Sequence, residues 1–415
     1  MINIFRVMSK LKIGIVTTWF ERGAAYVSRQ YMLTLQQKND VYIYARGGEK
    51  YAIGDPVWDT PNVTWGIDSA NSQINTWIEK KHFLNWIKEN EIQIVFFNEQ
   101  WWFAPILWCK DIGVKTGAYI DYYKKHTVPL FYVYDFLICN TKRHFSVFEN
   151  HPQSFFIPWG SDINLFKPEG FKVVNNDYIT FFHSAGMNPS RKGTDILLRS
   201  FSKIKKTAKL YIHTQVDLVN FFPELKHIIN DLLSKERLEI YKGTIGAPGL
   251  YQNGDVYVYP TRLEGIGLTI AEAACSGLPV IVPNCPPMNE FCSIHNGRLI
   301  EIDFLKIRSD NYYWPECIVN EESLTNQIEF YIDSFSEIIN FKRQARNYAI
   351  KYLDWEENSK DILKIFPSIK QLPSSSLLIF RVKLYDLFMF IYPTIYKLIP
   401  PGFKRIFKTV STFRP

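Results

Sequence analysis

Cysteine is scarce in this chain: six residues among 415, at 109, 139, 275, 285, 292 and 317, with no pair at the spacing of a metal site. Most stand in apolar stretches, so they read as buried thiols of a reducing compartment and not as a disulfide framework. No Asp-x-Asp pair stands at a predicted strand end, and no metal is expected. The first ten residues lack the apolar core and cleavage site of a secretory signal, because the apolar run at 13–16 belongs to a strand; a cytoplasmic location follows as the expectation. Charged residues at 21% and hydrophobic ones at 47% exclude a disordered chain. Aromatics, in contrast, reach 16%, which fits either a ring-rich core or exposed rings that stack on ligands.

Strands and helices alternate along the sequence. Apolar β runs at 13–17, 41–44, 94–97, 116–120 and 136–139 are separated by helical stretches such as 78–88. After the turn-rich PWGSDINLFKPEG a second series follows at 178–183, 210–213, 238–241, 256–259 and 280–282. Such a pattern predicts an α/β protein with two Rossmann-like domains, their parallel sheets facing a cleft, and 415 residues suffice for two cores.

The most informative stretch reads VYVYPTRLEGIGLTIAEAACSGLPVIVPNCPPMNE and ends at Glu290. A strand delivers its end into Arg262, Leu263 and Glu264; Gly265, Ile266 and Gly267 form a loop; a helix then opens at Leu268 and carries Glu272. Glycines let backbone amides approach a ligand, and a helix N-terminus adds free N–H donors and positive dipole, so phosphate is the natural guest. Carboxylates beside it suit sugar hydroxyls, so a phosphorylated sugar is the expected ligand. Gly277, Pro279, Val280 and Ile281 follow as helix stop and next buried strand.

The run resembles the Glu-x7-Glu signature of the family 4 retaining glycosyltransferases, which have the GT-B fold. The resemblance implies that Glu272 holds the ribose of a nucleotide sugar, that Glu264 contacts the transferred sugar, and that the amides of 265–267 and the adjoining Leu268 meet the diphosphate. It also assigns 1–165 to an N-terminal acceptor domain, 166–345 to a donor domain and 346–369 to a helix crossing back. Residues 370–415 fall beyond it. Arg191 and Lys192, before the second domain's first helix, suit the diphosphate as fork and point charge. Relatives commonly place the arginine a few residues earlier, where this chain has Gly186, Met187 and Asn188, so Lys192 is the firmer of the two. Thr244 and Ile245 occupy the position where the family meets the nucleobase. Gly23 either matches the family's loop, with one glycine where many relatives have two, or makes an ordinary turn. Where relatives often carry a histidine, Asp121 either bonds a sugar hydroxyl or caps the next segment.

In the first half, Trp19, Asn98, Glu99 and Trp101 gather at strand ends, as an acceptor platform or as rings packed under loops. From 376 onward seven cations stand against Asp386 alone, nearly the whole formal net charge of +7. The body is close to neutral, and no nucleic-acid partner is expected. The run 377–392 is shorter than the ~20 residues of a spanning helix and is expected to end at Pro393. It reads either as a basic amphipathic segment on the inner face of an anionic membrane or as a helical hairpin packed on the protein. Together these features imply a retaining, metal-independent glycosyltransferase, with Glu264, Lys192 and Asp121 at the reacting sugar and a glycan or lipid-linked saccharide as acceptor. A nucleotide-sugar epimerase of the same fold and a non-catalytic membrane scaffold are the alternatives.

Overall fold

The computed structural model describes residues 10–47, 51–68 and 76–398. Strands β1 (Lys12–Thr17), β2 (Asp40–Ala45), β3 (Val63–Trp65), β4 (Ile94–Asn98), β5 (Lys115–Tyr119), β6 (Phe136–Cys139) and β7 (Ser154–Phe156) form one sheet, in the order β3-β2-β1-β4-β5-β6-β7. Strands β8 (Ile179–Gly186), β9 (Ala208–Thr214), β10 (Leu238–Lys242), β11 (Val256–Val258), β12 (Val280–Pro283) and β13 (Gly297–Ile300) form the other, in the order β10-β9-β8-β11-β12-β13. All pairings within both sheets are parallel. Each sheet changes winding direction beside its first strand, between β1 and β4 and between β8 and β11. Ligands of open α/β sheets bind at that point, outside the strand C-termini.

Every strand expected from the apolar runs is present, with ends shifted by up to three residues. The expectation missed β3, β7 and β13: β3 and β7 are three-residue strands with half-buried side chains, and β13 opens on Gly297 and Arg298, so none presents a long apolar run. The helix expected at 78–88 is Lys80–Glu89, started by the Glu79 carboxylate, which accepts the His82 N–H. Most of the aromatic excess is core: Trp58, Tyr31, Tyr44, Phe96, Phe97 and Phe136 are among the largest fully buried side chains.

After the helix Ile338–Tyr352 the chain returns to the first sheet. Trp355 Nε1 donates to Thr34 Oγ1 at 3.0 Å, and Phe366 packs edge-on against Phe96 and Phe136. This return runs beside the outward linker: Ser161 N–H donates to the Leu353 carbonyl and Trp355 N–H to that of Ser161.

The last described element is the helix Ser376–Leu398, which continues past Pro393 instead of ending there. A proline removes only its own N–H bond and strains one carbonyl, so a helix packed on the protein can carry it. Val382 and Met389 enter the core of the first domain, and Asp386 accepts the Phe103 N–H at 3.0 Å. Among the described residues no helix is long and apolar enough to cross a membrane. Lys404, Arg405, Lys408 and Arg414 lie outside the described residues.

Candidate active site

Beyond β11 the chain passes through Pro260 and Thr261 to Glu264, whose Oε1 accepts three hydrogen bonds. Lys192 Nζ lies at 2.7 Å, the Tyr259 hydroxyl at 2.8 Å and the Thr261 hydroxyl at 2.8 Å. Burial alone would raise the Glu264 pKa, but Lys192 and Arg191 outweigh it and hold the carboxyl down at about 2. Burial lowers Lys192 to about 8, with Arg191 adding to the effect, so the pair is charged near neutrality. Lys192 also donates to the Tyr259 hydroxyl. Three donors belong to an ammonium, which leaves one for a phosphate oxygen.

Gly265 and Gly267 have different reasons to be glycine. A Cβ at 265 would sit 2.0 Å from Asp121 Oδ1, so the loop approaches the first domain as closely as backbone can. Gly267, at φ +101°, precedes the helix Leu268–Cys275 in a conformation that side chains disfavour.

Lys192 borders two cavities. One, about 1220 Å³ counting its open mouth, is lined by Glu272, Tyr251, Ile245 and Pro248 and, from the first domain, by Glu21 and Arg29. In it the Tyr251 hydroxyl donates to Glu272 Oε2 at 2.6 Å, and burial raises the Glu272 pKa. The other, about 760 Å³ on the same measure, is lined by Gly23, Glu99, Asp121, Glu264, Gly265 and Gly267. Arg191, Ile266 and Leu268 also border this second space. Arg191 Nη1 reaches the Leu263 carbonyl at 3.5 Å, and the charges of Glu264 and Asp121 stand near it. Thr244 bonds Gln215 Nε2 at 3.2 Å and does not line the first cavity, whereas Ile245 does.

Asp121 lines the second cavity. Burial, then the neighbouring Glu99, raises its pKa to about 7. Glu99 holds φ at +52°, an uncommon conformation for a residue with a side chain.

Two members of the expected acceptor platform are elsewhere. Trp19 is buried in the core, its indole N–H donating to the Trp58 carbonyl at 2.7 Å. Asn98 is buried as well, its amide donating to the Ala24 carbonyl and to Ser28 Oγ. Trp19 turns onto Trp58 and Asn98 onto the helix Gly23–Gln36, so both side chains are occupied by internal contacts. Glu99 and Trp101 remain beside cavities.

Sequence reasoning missed the groups that hold the Glu264–Gly265 loop from the first domain. Arg143 donates to the Glu264 carbonyl and, at 2.8 Å, to that of Pro286. His144 Nε2 lies 3.0 Å from the Gly265 carbonyl, which can only accept, so Nδ1 accepts from the Tyr123 hydroxyl at 2.8 Å. Tyr123 in turn accepts from Trp314 Nε1 at 2.6 Å. Burial lowers His144 to about 3, consistent with a neutral ring. Nothing in the string NTKRHF marks residues that reach 121 positions ahead.

Residues 178–304 match the family model described as "Glycosyl transferases group 1". The structure is similar to Anabaena HepE, solved in complex with UDP and glucose: TM-score 0.66, 15% identity, covering 86% of this chain and 100% of that one. The fold is GT-B. Sequence relatives are partial. The GtfA subunit of the UDP-N-acetylglucosamine–peptide N-acetylglucosaminyltransferase of Streptococcus parasanguinis is 39% identical over 80 residues, 19% of this chain and 16% of that protein. The capsular polysaccharide biosynthesis glycosyltransferase CapM of Staphylococcus aureus is 23% identical over 200 residues, 47% of this chain and 48% of that protein. The chain therefore spans less than half the length of either curated relative. Within the GT-B cleft the matched segment supplies Lys192, Glu264 and Glu272, and the first domain supplies Asp121 and Glu99.

Proposed function

We propose that the protein is a retaining glycosyltransferase that moves a sugar from a nucleoside diphosphate to a glycan or lipid-linked saccharide. One observation carries the reading: Lys192 stands where a cavity holding Glu272 meets a second cavity holding Glu264 and Asp121. A nucleoside diphosphate sugar lying across both would place its diphosphate at that junction.

In this reading Glu272 takes the ribose hydroxyls and the residues around Ile245 and Pro248 take the base. As the glycosidic bond breaks, charge grows on the diphosphate and is met by Lys192, Arg191 and the free amides at the start of Leu268–Cys275. No metal is assigned a role. Glu264 spends Oε1 on Lys192, Tyr259 and Thr261, and Oε2 serves a sugar hydroxyl. The sugar passes through an oxocarbenium-like state, and the acceptor attacks on the face from which the diphosphate leaves. Asp121 orients the sugar from the opposite wall.

The C-terminal helix gives this enzyme a membrane face. Leu377, Phe380, Leu384, Leu387, Phe388 and Ile391 recur along one exposed side, flanked by exposed Arg381 and Lys383. An anionic bilayer on the cytoplasmic side is the surface that fits both the stripe and the cations.

The test is a screen of nucleotide sugars for thermal stabilisation, starting with UDP-sugars, followed by NMR of the product anomer. Stabilisation, and a product whose anomeric configuration matches the donor's, is the expected result. Inversion removes the retaining assignment, isomerisation of donor alone makes the protein an epimerase, and no binding by any donor leaves a scaffold.

A further inference from the structure

The end of β5 opens into two spaces. Asp121 faces the sugar cavity, while Tyr122, Tyr123 and Lys124 turn into a separate pocket of about 330 Å³ counting its mouth. Trp101, Phe131 and, from the C-terminal helix, Tyr385 complete its wall. Lys124 is 3% exposed, yet among the described residues its Nζ has no hydrogen-bond partner. Trp101 Nε1 is buried in the same way, also without an acceptor. The neighbouring carboxylate, Asp310, is held by Arg308 in a two-point pair with Nε–Oδ1 2.9 Å and Nη2–Oδ2 2.6 Å. Two orphaned donors, one of them cationic, thus line one aromatic pocket. A buried ammonium without a partner is costly, and an anion is what would satisfy it.

Burial lowers Lys124 to about 8, so it is still mostly protonated near neutrality. The pocket's outer wall is Tyr385, and on the same helix Leu384 and Phe388 belong to the exposed apolar stripe. An anion bound here would have apolar surface beside it on one side and the sugar cavity, one residue away along the chain, on the other.

We propose that this pocket binds the phosphate group of a lipid-linked acceptor, with Lys124 and the Trp101 indole as donors and the lipid chain lying along the C-terminal helix. The assignment rests on reading the cleft as a glycosyltransferase site, and it gives the acceptor its chemical class: a saccharide carried on a lipid phosphate. Tyr123 lines the same pocket and begins the relay through His144 to the Gly265 carbonyl, so an occupant of the pocket contacts the support of the donor loop.

The test uses the full chain and calorimetric titration with three probes: dodecyl phosphate below its micelle concentration, inorganic phosphate, and UDP. Dodecyl phosphate should bind, and Lys124→Met should weaken it by about tenfold or more, the worth of one charge-assisted hydrogen bond. Lys124→Arg should keep most of the affinity, and Phe388→Ser should weaken dodecyl phosphate alone. Lys124→Met should leave UDP affinity in place and, by removing a buried unpaired charge, should not lower the melting temperature. Equal dodecyl phosphate affinity in wild type and a folded Lys124→Met overturns the proposal. So does inorganic phosphate binding as tightly as dodecyl phosphate, which would make the pocket a free-anion site. Loss of UDP binding by the wild type, in contrast, strikes the glycosyltransferase reading and not the pocket.

Discussion

The two sheets share one winding order, yet their switch points are furnished differently. At the second, charged groups project into the cleft from two strand-to-helix turns, Lys192 after β8 and Glu264 and Glu272 after β11, all within 178–304. At the first, Trp19 and Asn98 fold inward while Gly23, Glu99, Trp101 and Asp121 border open space. On the proposed reading, a diphosphate calls for amides and cations in a fixed local pattern that sequence can display, whereas an acceptor calls for shape, which many sequences can build.

Four experiments press on this contrast. Trp19→Ala, at a buried ring of the first domain, should cost about 3–5 kcal/mol of stability in a denaturant titration while a folded fraction still binds nucleotide; a loss of acceptor selectivity without loss of stability would restore it to the acceptor surface. Lys192→Ala should lower turnover by about 10²–10³-fold, the scale of removing one donor from a developing anion, with donor affinity changing less; wild-type turnover would break the assignment of the second switch point. Glu272→Ala should weaken nucleotide affinity by about tenfold in calorimetry, the worth of one hydrogen bond to a charged group, and leave turnover of bound donor nearly intact.

The smallest effect is the dependence on pH. Lys192 loses its proton above about 8, and Asp121 passes from neutral to charged near 7. The profile of kcat/KM should therefore bend near 7 and fall beyond 8, since it reports groups of the free enzyme. Asp121→Asn, which keeps a hydrogen-bonding side chain that cannot ionise, should remove the bend near 7 and keep the fall beyond 8. An unchanged profile would show that Asp121 does not share in the first domain's half of the site.

Legibility from sequence divides along the same line. The buried strands of both sheets could be read because a two-sided parallel strand is a short continuous apolar run, as in the wholly buried β4. Glu264, Gly265, Gly267 and Glu272 could be located because local chain geometry alone brings them to one edge. Arg143, His144 and Tyr259 could not, because their roles arise from contacts between segments far apart or from a tyrosine indistinguishable in sequence from its core neighbour Tyr257. Lys124 escaped for a related reason: a lysine beside Lys125 and His126 in a polar stretch looks like a solvated turn until the fold closes over it. Pro393 misled in the opposite direction, since a helix whose neighbours hold it in place tolerates a break that an isolated one would not.

The seam where the outward linker meets the returning chain has a mechanical result. Gly160 lies so close to the Leu353 carbonyl that a Cβ there would come within 2.6 Å, and the two strands of chain are stitched by hydrogen bonds through Ser161. Side-by-side tethers of this kind resist sliding of the halves past each other far more than rotation about the line they define. Any rotation about that line that parts the cleft breaks the Arg143 and His144 hydrogen bonds to the Glu264 and Gly265 carbonyls.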